Sequence, residues 1–247
     1  MKSGIKHRFS AAADTYDQYA DLQRYVADCL MNYIIKGDYS PSHSILEIGC
    51  GTGYLTKKMG DLYPISDLIG IDIVSSMLKK CQKGYPGGHY LVADGEYLPF
   101  NQPFDLIASN LCLQWFQNPS TSLQQIVKLG KTVMLSTFGS RSFQEWRDVC
   151  RQYDLPIRTQ KFLSIDELKA ILGPNYCIES QLIKKSFPSW WAFWHQIRKI
   201  GASQGADSAA SSSLKNLKQV LMIEEIEVTH EIIFINNVKN SGIVKEE

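Results

Sequence analysis

The chain has 247 residues, a formal net charge of +1 and 44% hydrophobic side chains. That length suits one large α/β domain, or one domain with an appended lid, able to bury a sizeable core. The near-neutral balance gives neither nucleic acid nor an anionic membrane a global attraction, so neither is an expected partner. Six cysteines (Cys29, Cys50, Cys81, Cys112, Cys150 and Cys177) lack C-x-x-C or Cys/His spacing, so no metal site is expected and free thiols in a reducing cytoplasm fit best. Met1 to Ser10 is polar and basic, and no run nears the roughly 18 apolar residues of a membrane span, so neither export nor spanning is indicated.

From Phe9 to Ile35 apolar residues recur at spacings of three and four (Leu22, Val26, Cys29, Leu30, Tyr33), which predicts a helix. Ser44–Ile48 reads as a buried strand, Tyr54–Met59 as a helix start, Asp67–Ile73 as a second strand and Ser75–Gln82 as a helix. Strands follow at His89–Ala93, Phe104–Ser109 and Thr132–Thr137, with helices at Ser120–Leu129 and Ser142–Tyr153. Alternation of this kind implies a doubly wound, mostly parallel α/β sheet covered on both faces. Ile165–Leu172 is a further helix, stopped by Gly173-Pro174, and Tyr176–Phe187 is extended. Ser189–Ile200 carries Trp190, Trp191, Phe193 and Trp194 at helical spacing. Gly201–Ser213 reads as a mobile Ala/Ser/Gly loop, Leu214–Glu225 as a helix, and Val228–Ile235 as a final strand. The two late strands thus enclose a helical insertion.

The most informative segment is Glu47-Ile48-Gly49-Cys50-Gly51-Thr52-Gly53 between the first strand and its helix. Glycines here let the backbone turn sharply and let a ligand lie against it, and the helix start offers unpaired N–H groups. The spacing is G-x-G-x-G, not the G-x-G-x-x-G of dinucleotide sites. The carboxylate of Glu47 would repel phosphate but accept from an ammonium group. Together these favour S-adenosyl-L-methionine. Ligands of open α/β sheets bind at the carboxyl ends of the strands. There Asp72, followed by Ile73, is placed to accept ribose hydroxyls. Asp94, followed by Gly95, is placed to accept the adenine amino group, and Asn110, Gln114 and Trp115 complete the wall. Taken singly, each acid is as readily a cap or a turn residue; what carries the assignment is four loops with the right residue types in order.

These residues, with Leu98-Pro99-Phe100, resemble the class I S-adenosylmethionine-dependent methyltransferases. Arg8–Ala20 with Leu22-Gln23, Ser109-Asn110-Leu111-Cys112-Leu113-Gln114-Trp115, Ser136-Thr137-Phe138-Gly139 and, more weakly, Ile197–Ala202 resemble the malonyl-acyl-carrier protein O-methyltransferases of biotin synthesis. The resemblance runs from residue 8 to about 236. It implies a seven-stranded Rossmann-like domain with a cap helix over about 8–36, a cofactor-binding core over about 40–187, a helical lid over about 188–226 and a final strand over about 227–237. It also implies transfer of a methyl group to the free carboxylate of a malonyl group on acyl-carrier protein or coenzyme A, by a monomer. One departure is Leu129-Gly130-Lys131, where the family often has Pro-Gly-Gly before the fifth strand.

A carboxylate is already ionised near neutral pH, so this chemistry requires no general base, and no His or Cys constellation stands at the strand ends. Tyr16 and Tyr19, three apart on one helix face, are candidates for covering the cofactor and positioning the substrate. Lys161, at a position where the family usually has Arg, is the leading candidate for binding the substrate carboxylate, alongside Arg141, Arg147 and Arg198. The basic residues Lys184, Lys185, Arg198, Lys199, Lys215 and Lys218 suit an acidic carrier protein. The same loops would serve a methyltransferase for another small acid or a quinone-type ring, or a nucleotide-binding module without turnover.

Overall fold

The computed structural model describes residues 2–36, 44–64, 67–157, 159–203 and 211–237. Seven strands form one sheet: β1 (Ser44–Ile48), β2 (Asp67–Asp72), β3 (His89–Val92), β4 (Phe104–Asn110), β5 (Gly130–Phe138), β6 (Cys177–Ser189) and β7 (Glu224–Asn236). Their order is β3-β2-β1-β4-β5-β7-β6, parallel from β3 through β5, with β7 antiparallel to both neighbours. Strand order reverses between β1 and β4, so the loops after those strands open a crevice at the carboxyl ends.

Side chains alternate between two apolar layers, as the two-residue period of a strand requires. Leu46, Ile48, Ile107, Val133 and Leu135 enter one layer, with Leu123, Ile126 and Leu129 of α6 (Pro119–Leu129) and Leu168 of α8 (Ile165–Leu172). Ile45, Leu68, Leu106 and Met134 enter the other, under Val26, Ala27, Leu30 and Ile34 of α3 (Asp21–Lys36) and Leu55 and Met59 of α4 (Tyr54–Leu62). The α5 helix (Ser75–Gly84) connects β2 to β3. Helix α6 runs into β5 without a loop, because Gly130 is at once its C-cap and the first strand residue.

A third cluster is built by α7 (Gln144–Gln152), α9 (Trp190–Lys199), α10 (Ser211–Leu221) and the outer end of β7. Helices therefore do separate β6 from β7. Residues 204–210 of the stretch read as a mobile loop lie outside the described residues, and 211–213 instead open α10.

The amino-terminal region differs from the single helix expected over 9–35. It forms α1 (Lys2–Ala12), the one-turn α2 (Tyr16–Tyr19) and α3. The Thr15 hydroxyl bonds the carbonyls of Ala12 and, at 2.8 Å, Lys199, which ties the first break to the end of α9.

Candidate active site

The turn after β1 sits on β2: the N–H groups of Gly49 and Cys50 both donate to the carbonyl of Ile71, at 2.8 and 3.0 Å. Gly49 has φ +71°, and a Cβ there would lie 2.4 Å from the Cys112 sulfur, so only glycine fits. Gly51 has φ +56° with open space around it, which leaves its face free for a ligand. Gly53, at the N-cap of α4, serves packing: a Cβ would meet Cys81 of α5.

This turn forms one wall of a cleft of about 110 Å³. Gly49, Gly51, Asp72, Ile73, Asp94, Gly95, Asn110 and Trp115 all line it. Asp72 accepts the Gly51 N–H at 3.0 Å and the Val74 N–H at 2.8 Å, which fixes its carboxylate at the end of β2. Burial raises the Asp72 pKa, against the lowering by those N–H groups. Asn110 donates to the Gln23 carbonyl at 2.9 Å and accepts from Ser136 at 2.8 Å, joining the β4 end to α3. The donor set fits the expected cofactor: two carboxylates and bare backbone suit a nucleoside without phosphate.

Two expected residues lie beneath the cleft instead of in its wall. Glu47 is 2% exposed and receives the Thr56 hydroxyl, so its carboxyl is turned under the loop. Burial drives its pKa well above the usual carboxylate range, against the lowering by the Thr56 bond. Cys50 packs with Leu78 and Cys81.

The cleft has an unexpected fourth side. Lys2, Ile5 and Phe9 of α1 line it, and the Lys2 ammonium pairs with both Asp94 and Glu96. Burial alone would lower the Lys2 pKa; the two carboxylates outweigh it and raise the value. The other oxygen of Asp94 accepts the Glu96 N–H at 3.0 Å, so the carboxylate expected to meet adenine is engaged on both sides. Lys2, Ile5 and Phe9 repeat at helical spacing, a signal that the reading of a helix from Phe9 onward did not use.

A second, larger cavity of about 390 Å³ adjoins the cleft, and Phe9, Tyr16, Leu111 and Trp115 line both. Leu111 holds φ +49°, a strained conformation for leucine, with its N–H bonded to Ser136 and its carbonyl accepting from Gln114. Gln114 lines the larger cavity only. Its remaining wall is mainly aromatic and aliphatic, from α7, α9, α10 and Phe162.

The tyrosine pair is split. Tyr16 stands between the two cavities, and burial followed by the nearby Asp72 charge pushes its pKa above the normal range, so it remains a neutral donor. Tyr19 borders a separate recess of about 20 Å³, where its carbonyl receives Gln196 at 3.0 Å.

The candidate cations separate as well. Lys161 has an 85% exposed side chain, pairs with Glu167 at 3.3 Å and lines neither cavity, so the structure does not bring it to the site. Arg141 is bound to buried Glu231, and Arg147 to the Ser142 and Ser140 carbonyls. Arg198 of α9 is the only lysine or arginine among the described residues lining the larger cavity.

Comparison with known proteins agrees with this architecture. A family described as a methyltransferase domain matches residues 46–132. The chain is 30% identical to malonyl-acyl-carrier protein O-methyltransferase 2 of Ilyobacter polytropus, covering 97% of this chain and 98% of that protein. It is 35% identical to the malonyl-acyl-carrier protein O-methyltransferase of Anoxybacillus flavithermus, covering 82% and 81%. Among solved structures, magnesium protoporphyrin IX methyltransferase from Synechocystis, with bound SAH, shares the fold at TM-score 0.60 and 12% identity, covering 95% of this chain and 99% of that one. The YcgJ protein of Bacillus subtilis does so at TM-score 0.59 and 17% identity, over 86% and 98%.

Proposed function

Because the chain belongs to the malonyl-acyl-carrier protein O-methyltransferase family, we propose that it methylates the free carboxylate of a malonyl thioester carried on acyl-carrier protein. The methyl donor is S-adenosyl-L-methionine. The product is a malonyl methyl ester, an uncharged end that primes chain elongation toward pimelate and biotin. The observation that carries this reading is the shared wall: one cleft lined by glycine backbone and acids meets one apolar cavity across Phe9, Tyr16, Leu111 and Trp115.

S-adenosyl-L-methionine supplies an electrophilic methyl group when bound. Gly49, Gly51, Asp72 and Asp94 are the residues that would hold it. A malonyl carboxylate is ionised at neutral pH, so the protein has no proton to remove before attack. Its task is alignment and exclusion of water. Tyr16 donates from the shared wall to the incoming carboxylate. Arg198 attracts and orients the negative charge at the cavity wall, where a fork of donors matches a carboxylate. Helices α9 and α10 act as the lid over this cavity, and the basic residues of α9 and α10 meet the acidic carrier. We further propose that the protein works in the cytoplasm as a monomer.

The test is acceptor chemistry. Malonyl carrier protein should take labelled methyl, whereas acetyl and propionyl carrier protein, lacking the carboxylate, should take none. Equal labelling of all three would overturn the carboxylate assignment. The aromatic lining favours a second reading, a longer acid or quinone-type acceptor. Labelling of such an acceptor with none on the malonyl group would establish it.

A further inference from the structure

The acceptor cavity holds two buried polar atoms that the proposed reaction does not use. His230, on β7, is 2% exposed and lines the cavity, and its Nδ1 has no hydrogen-bond partner among the described residues. Trp194, on α9, lines the same cavity, and its buried Nε1 also lacks a partner. The two rings flank one buried phenyl, with centroids 4.9 Å (Trp194) and 6.4 Å (His230) from Phe193. Buried polar groups are nearly always paired, so two orphans on one cavity wall call for a ligand that pairs them. Being an orphan is not sufficient by itself. Trp190 Nε1 is also unpaired, but Trp190 lies in the aromatic core, off the cavity wall.

The chemistry of the two atoms is complementary. An indole N–H only donates. Burial lowers the imidazole pKa to about 4, and backbone groups of Ile183 and Val228 hydrogen-bond the ring. The ring is neutral, and with Nδ1 the unpaired nitrogen we assign its proton to Nε2, facing those backbone groups, which leaves Nδ1 a lone pair that accepts. One donor and one acceptor on the same cavity match the carbonyl and the N–H of a secondary amide, which point in opposite directions from its trans peptide plane.

We propose that Trp194 Nε1 and His230 Nδ1 form an amide-holding subsite that seats a secondary amide of the acceptor's thioester arm. This rests on the malonyl-thioester reading above, since both carrier-protein and coenzyme A arms bear secondary amides near the sulfur. The subsite gives the arm a fixed register in the cavity, with its carboxylate end toward Tyr16.

The test compares two small malonyl thioesters of similar length: the N-acetylcysteamine thioester, with one secondary amide, and the S-pentyl thioester, with none. Wild type should show the lower KM for the amide compound. Trp194→Phe and His230→Phe should each raise that KM by about tenfold, with a smaller effect on kcat and little change for the pentyl compound. His230→Gln keeps an acceptor and should recover part of the loss. Binding is read separately from the Trp194 indole N–H resonance, identified by its absence in Trp194→Phe, which the amide compound should shift and the pentyl compound should not.

Equal losses for both thioesters, or an unshifted indole resonance at saturation, would overturn the subsite while leaving the malonyl reading intact. If wild type methylates neither thioester nor malonyl carrier protein, the malonyl reading falls. An amide-specific indole shift would then still support the subsite.

Discussion

Asp72 accepts the backbone N–H of Gly51 at 3.0 Å. This bond crosses from the end of β2 to the turn after β1, so one carboxylate both shapes the glycine turn and borders the space beside it. Asp72→Ala should raise the dissociation constant for S-adenosyl-L-methionine by about tenfold or more, as a bond to a charged acceptor is lost. Isothermal titration calorimetry checks this, and an unchanged constant would remove Asp72 from the cofactor site.

Lys2 competes for Asp94. Its ammonium pairs with the carboxylate expected to meet the adenine amino group, so Lys2 and a bound cofactor contend for one acceptor. Lys2→Ala should bind S-adenosyl-L-methionine several-fold more tightly, and its affinity should depend less on salt. Weaker binding in the variant would show that Lys2 instead helps to hold the ligand.

Arg198 and Lys161 make a contrasting pair. Arg198→Ala should raise the KM for malonyl carrier protein by roughly tenfold or more, the worth of a charge-assisted hydrogen bond. Lys161→Ala should change it little, since an exposed pair with Glu167 contributes little. Steady-state kinetics with both variants decides between the two positions.

His230 makes stability depend on pH. Its pKa falls from the ordinary 6.5 to about 4 through burial, with the charges of Lys185 and Glu145 acting in opposite senses. Between these values the unfolded chain takes up a proton that the folded chain refuses. Stability is therefore full above 6.5 and falls as pH drops toward 4, by about 3 kcal/mol from this group. Urea unfolding of His230→Gln should show a shallower loss than wild type across that window. Parallel profiles would mean that the ring is protonated in the fold.

The sheet was legible because β1, β4 and β5 are apolar runs buried on both faces, and because the glycine turn requires backbone that only glycine supplies. Asp72, Asp94 and Asn110 were legible because they stand at or just after the carboxyl ends of β2, β3 and β4. Side-chain direction was not. Glu47 stands two residues before Gly49 yet is buried beneath the loop, where it accepts the hydroxyl of Thr56 from α4. The grouping of Lys2 with Asp94, and of Trp194 with His230, depends on elements far apart in the chain. Lys161 has a sequence position suggestive of substrate binding, but folding leaves it at the surface beside Glu167.

The most direct measurement is tandem mass spectrometry of malonyl carrier protein after incubation with the purified protein and S-adenosyl-L-methionine. The account predicts a mass gain of one methylene located on the malonyl carboxylate as an ester, lost again in the Tyr16→Phe and Arg198→Ala variants at limiting enzyme. An unmodified malonyl group, or a methyl group on any other atom of the carrier, would contradict it.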